Sequence, residues 1–160
     1  MALPGYFSLT GAKQGKIEGS CDIKGHEGKI LVQGSTHTVN IPVNIQTGLA
    51  SGKRVHHPLT IRKAIDKSSP KLLQALTTGE TITQAILEYA HIDKNGREVI
   101  YFTKTIENAV IISVVQETEN ILDSATTKFP DWEIVSLTYS KITATFKEGG
   151  IEATDSWTGN

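Results

Sequence analysis

Through most of the chain, apolar residues alternate with polar ones at a period of two, and the apolar positions are rich in β-branched and aromatic types. That is the pattern of a strand with one buried face, not the three-to-four spacing of a helix. A first strand runs through Tyr6-Phe7-Ser8-Leu9, and a second is expected over 16–21 after glycine punctuation at Gly11, Gly15 and Gly19. Gly25 and Gly28 bracket a turn. A longer strand is expected over 29–41, in which Gly34 marks a bulge or a close backbone approach and Gln33, Ser35 and His37 lie on the polar face. Further strands are expected over 59–65, 82–92, 98–116 and 132–147, with Asn108 as the place where the third of these would divide. Asp93-Lys94-Asn95-Gly96 supplies a turn, and Gly149 and Gly150 end the last long strand.

Two segments depart from the alternation. Residues 42–58 begin and end in proline and hold Gly48, Gly52 and many small polar residues, which reads as one long irregular connection. Connections of that length are uncommon in compact domains and often functional. Residues 66–79 carry both ends of a short helix, a Ser cap before Pro70 and a terminating Gly79, with Leu72, Leu73 and Leu76 forming its apolar face. Sequential strands joined by short turns, with a single helix, predict a mainly β fold. It is an antiparallel β-barrel or two tightly packed sheets, with the short α-helix outside and a long protruding loop. A chain of 160 residues with 38% hydrophobic content supports one core, so a single domain over 1–160 is expected.

Charge narrows the partners. Sixteen Lys plus Arg against seventeen Asp plus Glu leave a net −1, with no block of like charges, so nucleic acid is not an expected partner. Cys21 is the only cysteine, which excludes an intrachain disulfide and a zinc site built on cysteines. Its simplest role is to fill space in the core, and it suits folding in a reducing cytoplasm. The start Met1-Ala2-Leu3-Pro4-Gly5 has neither the cationic nor the apolar stretch of a signal peptide, and no segment approaches about eighteen consecutive apolar residues. Membrane insertion is not expected, and export by the general secretory route is not either.

The candidate chemistry is sparse. Five histidines, His26, His37, His56, His57 and His91, are scattered among Ser and Thr without a nucleophile elbow. His56 and His57 are adjacent, so on an extended chain they point opposite ways and suit neither a shared metal nor a relay. Gly25-His26-Glu27-Gly28 reads as a solvated turn. Gly11, Gly15 and Gly19 with Lys13 and Lys16 lack the Gly-Lys-Ser/Thr end and the following helix of a phosphate cradle. Trp132, Trp157, Tyr89, Tyr101 and Tyr139 suit packing or a subunit contact better than a sugar or base platform. No catalytic residue, cofactor or metal is expected, and the chain does not read as an enzyme.

Read end to end, the sequence resembles the haemolysin-coregulated (Hcp) family of type VI secretion. The resemblance begins in Gly15-Lys16-Ile17-Glu18-Gly19-Ser20-Cys21 and Gly25-His26-Glu27-Gly28-Lys29-Ile30, and is most specific from Ser51-Gly52-Lys53-Arg54-Val55-His56 through Leu59-Thr60-Ile61 to Ile65-Asp66-Lys67-Ser68-Ser69-Pro70-Lys71-Leu72. Leu76-Thr77-Thr78-Gly79-Glu80, Ile106-Glu107-Asn108-Ala109, Val135 through Ile142 and Asp155-Ser156-Trp157 continue it, whereas 117–130 matches no family motif. The resemblance implies a β-barrel protomer with a side helix. Six such protomers close into a homohexameric ring, and stacked rings form the inner tube of a contractile injection machine. It also implies contact with the sheath and spike of that machine, synthesis in the bacterial cytoplasm, export to the extracellular space or a target cell, and small effector proteins carried in the lumen.

Within that picture Lys53, Arg54 and His56 are the candidates for ring or stacking contacts, and Gln33, Ser35 and Thr36 for the lumen and its cargo. The competing reading is a monomeric β-barrel binding module for a sugar or peptide; a small hydrolase built on a histidine such as His56 is a third.

Overall fold

The structure, a computed structural model, describes residues 3–157. The leader reading at Met1 and Ala2 and the last residues of the expected domain, 158–160, lie outside the described residues. Six antiparallel strands close a barrel in the order β1 (Gly5–Gly11), β3 (Ile30–Thr36), β6 (Leu59–Ala64), β9 (Trp132–Thr138), β8 (Glu98–Glu117) and β7 (Thr81–Ile92), which returns to β1. A short β2 (Gly15–Ile17) folds back on β1. The mainly β barrel with one α-helix is the fold expected from the alternation. Inward positions such as Phe7, Leu9, Ile30, Leu59, Ile61, Ile82, Ile106, Val135 and Leu137 fill the interior. The alternating burial of Leu59–Ala64 has its counterpart in the opposed run of β9, so the two strands share one inner face.

β8 is twenty residues long and serves different partners at its two ends. Phe102–Glu107 pairs with β10 (Lys141–Phe146), and Val110–Glu117 pairs with β9. The change falls at Asn108, whose φ of 49° makes it the one non-glycine residue at positive φ among the described residues. Asn tolerates that left-handed conformation better than most L residues. The strand therefore kinks at Asn108 and does not end there.

Several expected boundaries move. The strand expected over 132–147 divides at Tyr139-Ser140, because β9 stays in the barrel wall while β10 follows the other half of β8. Beyond the end of β10 at Phe146 the chain reaches Gly149 and Gly150. These take φ of 78° and 62° and turn it back into β11 (Ile151–Ser156), which pairs with β10 to make a two-stranded ribbon. β2 stops at Ile17, and residues 18–29 form an irregular loop held by Gly19 N–H to the Gly28 carbonyl at 2.9 Å and Cys21 N–H to the Lys29 carbonyl at 3.1 Å. A Cβ at Gly19 would collide with the Lys29 carbonyl oxygen, so that close approach needs glycine. Cys21 is buried in a small cluster with Tyr6 and Ala90. Gly34 does mark a bulge, where the β3–β6 register shifts.

The strand expected to run to Ile41 stops at Thr36, and the connection expected to be irregular is a hairpin arm. β4 (Val39–Asn40) pairs with β5 (Val55–His56), and Val43 bridges Ala50 further out. The helix α1 (Ser69–Thr78) ends in left-handed Gly79 as expected, but Ser68 makes no capping bond; its hydroxyl goes to the Asp66 carboxylate. Leu72 and Ala75 bury against the barrel while Leu73 faces outward, so the apolar face is narrower than three leucines suggest.

A buried ion pair ties this helix to the wall. Lys63 and Glu133, opposed in the β6–β9 register, are both 0% exposed with Nζ and Oε2 2.7 Å apart. Lys63 Nζ also reaches Asp66 at 2.9 Å and Ser69 Oγ at 3.0 Å, and Ser69 Oγ donates to Glu133 at 2.8 Å. Removing one partner strands a charge in the interior, which costs about 3–5 kcal/mol, whereas an apolar pair of similar volume is often neutral. Lys63→Ala is expected to lower stability by about that amount in urea denaturation, and Lys63→Met combined with Glu133→Leu to restore most of it. Equal losses in both variants would show that the pair's charge is not what matters.

Candidate functional site

At the root of the arm, four elements bring polar side chains together that are far apart in sequence. β5 supplies Arg54 just before it and His56 within it, the end of β3 leads to His37, the β9–β10 corner carries Tyr139, and β11 carries Asp155. His56 is 3% exposed. Its Nε2 lies 2.6 Å from Asp155 Oδ2 and its Nδ1 2.8 Å from the Tyr139 hydroxyl, which is itself 2.6 Å from His37 Nε2. A carboxylate can only accept, so the neutral His56 carries its proton on Nε2 and its Nδ1 accepts from Tyr139. The Tyr139 oxygen then accepts from His37 Nε2. Arg54 grips the same carboxylate through Nε, through Nη2 at 2.7 Å, and reaches the Ser156 carbonyl at 3.1 Å. The ring of Trp157 closes the cluster, 5.9 Å from His56 and 5.7 Å from Tyr139.

The electrostatics follow from this packing. Hydrogen bonds from Arg54 and then His56 hold the Asp155 carboxyl down at about 2. Burial, then the Asp155 charge, pushes the Tyr139 hydroxyl up to about 12. Burial, then the positive charge of Lys104 and the nearby imidazoles of His56 and His57, lowers His37 to about 4. A hydroxyl so reluctant to lose its proton is a poor nucleophile. What the chain His37–Tyr139–His56–Asp155 does is fasten the arm to the C-terminal ribbon. A pocket of about 230 Å³ lined by His37, Val39, His56, Lys104 and Ala153 lies beside it.

Of the residues expected to form contacts, Arg54 and His56 meet in this cluster and turn to groups of their own chain. Lys53 is exposed and makes no ion pair among the described residues. His57 faces away from His56 and bonds Asn40 at 2.7 Å. Gln33, Ser35 and Thr36 lie together on β3 and give no hydrogen bond to the cluster: Gln33 is exposed at the bulge, Ser35 Oγ is 3.2 Å from the Tyr89 hydroxyl, and Thr36 stands opposite Thr60. The partners of His56, Tyr139 and Asp155, escaped the sequence reading because each is more than 80 residues away.

One other expectation is corrected. His26 is not solvated: its ring stacks on Tyr6 at 3.7 Å, and Glu98 accepts from both His26 Nε2 at 3.0 Å and the Tyr6 hydroxyl at 2.8 Å. The turn after Gly11 does gather backbone N–H groups as an anion cradle would, but the chain's own Glu80 fills it. That carboxylate accepts from the amides of Lys13 at 2.5 Å and Gln14 at 2.6 Å and from Gln14 Nε2 at 2.8 Å. Among the aromatics, Trp132 and Tyr139 are buried, Tyr101 stacks with His91 at 4.7 Å, and Tyr89 packs on Phe102.

A family model described as "Type VI secretion system effector, Hcp" matches residues 6–146. The "Major exported protein" of Pseudomonas aeruginosa is 38% identical, over 98% of this chain and 96% of its own. Among solved structures, the Hcp1 protein of E. coli EAEC 042, in a mutant form, is 35% identical with a TM-score of 0.87, covering 97% of this chain and 99% of that one. The secreted protein Hcp3 of Pseudomonas aeruginosa is 32% identical with a TM-score of 0.78, covering 99% of this chain and 100% of that one.

The lowered His37 gives the cluster a pH dependence of definite sign. Unfolded, His37 binds a proton as the pH falls through its ordinary 6.5; folded, it does so only near 4. Its stabilising share is therefore complete above 6.5 and drains as the pH falls from 6.5 toward 4. Asp155 contributes above 3.8 and fails only as the pH falls toward 2, outside that window. Between about pH 7 and about pH 4.5 the wild type is expected to lose more stability, by urea midpoint, than His37→Gln. Parallel losses in the two proteins would remove His37 from the account.

Proposed function

The chain belongs to the Hcp family of type VI secretion, and on that premise we propose that it is a structural subunit of the secretion tube, closing into homohexameric rings that stack and are exported. The observation that carries this reading is the arm. A two-stranded hairpin is marginal alone in water, yet this one projects from the barrel with Val43, Ile45 and Leu49 exposed, Ile45 at 99% and Leu49 at 69%. Its root is fixed by Arg54, His56 and Asp155, which leaves the apolar tip and Lys53 for a neighbouring copy. A ring of identical protomers needs two different complementary surfaces on each. An arm on one side and a barrel wall on the other meet that need.

The rest of the reading follows from the family. The name of the Pseudomonas aeruginosa relative, "Major exported protein", supports export. Sheath and spike components and small effector proteins in the lumen, near Gln33, Ser35 and Thr36, are the further partners, and 1–160 acts as one domain. The role is structural and not enzymatic, with the His56 cluster serving as a fastening. Light scattering after size exclusion, at several concentrations, is expected to give a discrete mass of about six chains. A monomer at every concentration would overturn the tube reading and favour a free-standing barrel that binds a sugar or peptide.

A further inference from the structure

Among the described residues three buried side-chain nitrogens have no hydrogen-bond partner: His26 Nδ1, which stands apart, and two that lie together on the wall. Arg62 of β6 stands opposite Gly34 of β3 and Ile134 of β9, on the outer face. Its guanidinium lies over the ring of Trp132, 4.4 Å from the centroid, and its one acceptor among the described residues is Glu119, at 3.3 Å from Nη2. The Nε of Arg62 is buried with no acceptor among the described residues, and so is the indole N–H of Trp132, a residue only 8% exposed. Buried donors are normally paired, so two neighbouring orphans mark a surplus of donors awaiting an acceptor. Beside them runs an open groove of about 310 Å³ lined by Gly34, Ser35, Thr36, Thr60, Arg62 and Ile134.

We propose that this groove docks an acidic segment of a client protein, with Arg62 taking its carboxylate and Glu119 standing in for that carboxylate while the groove is empty. This rests on the cargo-carrying part of the reading above. A guanidinium is planar by delocalisation, and contact with an aromatic ring restricts where its fork of donors points, an arrangement that suits a carboxylate. The Thr36, Thr60 and Ser35 hydroxyls add neutral partners, and the absence of a side chain at Gly34 leaves the groove open above Arg62. The surroundings favour a chain segment over a free small acid, since Ile134 and the exposed Val115 opposite it, with Phe129 against Trp132, offer apolar contact on either side. The arm of a second copy does not fit, because 39–58 contains no Asp or Glu.

The test uses two fluorescein-labelled peptides, one alternating Glu and Leu and one alternating Lys and Leu, titrated with the purified protein and followed by anisotropy, with oligomeric mass measured on the same samples. The Glu peptide is expected to bind about tenfold or more tighter than the Lys peptide, Arg62→Gln to erase that preference, and Glu119→Gln to tighten the Glu peptide severalfold. Glu119→Gln leaves the wall intact, so it tests the proposal even where Arg62→Gln fails to fold. Equal binding of the two peptides, or no gain in Glu119→Gln, overturns the docking site and leaves the ring untouched. A folded Arg62→Gln whose mass falls below the ring assigns the groove to a second copy and overturns the client. A monomeric wild type sinks the ring reading whatever the peptides do.

Discussion

The length of β8 is the constraint from which the rest of the architecture follows. A twenty-residue strand is more than one barrel neighbour can cover, so its second half closes the barrel on β9 while its first half is left beyond the closure. That first half would be a bare edge, with unpaired amide and carbonyl groups, if β10 did not pair with it. The exchange of partners requires the kink at Asn108 and the corner at Tyr139-Ser140, where the Ser140 amide bonds the Glu107 carbonyl at 3.2 Å. β11 then covers β10, and its end carries Asp155 back over the corner. The cluster that holds the arm is thus a product of barrel closure, since Tyr139 and Asp155 stand where they do because β8 has two partners.

How much of this the sequence discloses depends on whether the cause is local. The barrel class, the turn at Asp93–Gly96, the helix stop at Gly79 and the bulge at Gly34 all rest on alternation or on the conformational habit of one residue, and each is found where the pattern places it. Asn108 was visible as an interruption, but whether a strand ends or changes partner there depends on a neighbour thirty residues on. β4 and β5 are two residues each and carry no period, so their segment reads as loop until the pairing is seen. β11 alternates Glu, Thr and Ser with few apolar residues, because both faces of the ribbon are near solvent. Lys63 and Glu133 fall on the apolar parity of their strands, and only their opposition in the β6–β9 register shows that they meet there as a pair. His56 looked inert beside His57 because its partners are supplied by the corner and by β11.

The distribution of satisfied groups separates what holds the protein together from what faces its partners. Lys63 has Glu133 and Asp66, Arg54 has Asp155, His26 has Glu98, and the amides after Gly11 have Glu80. Removing one member of such a pair leaves the other without its partner, at greatest cost where both are buried, as in Lys63 and Glu133. Such matching makes the structural groups poor handles for another molecule, because a ligand would first have to displace a partner already in place. Two of the features left over lie in different places: an arm of exposed aliphatic side chains with Lys53 beside its root, and a wall groove with unpaired donors beside an aromatic ring. An apolar arm suits a permanent contact, whose driving force is burial and whose loss exposes the same surface again. Polar donors in an open groove suit a contact that must form and release, because in water the exchange of one hydrogen-bond partner for another is nearly balanced. The chain keeps the two apart, with the exposed aliphatic side chains on the arm and the unpaired donors of Arg62 and Trp132 on β6 and β9.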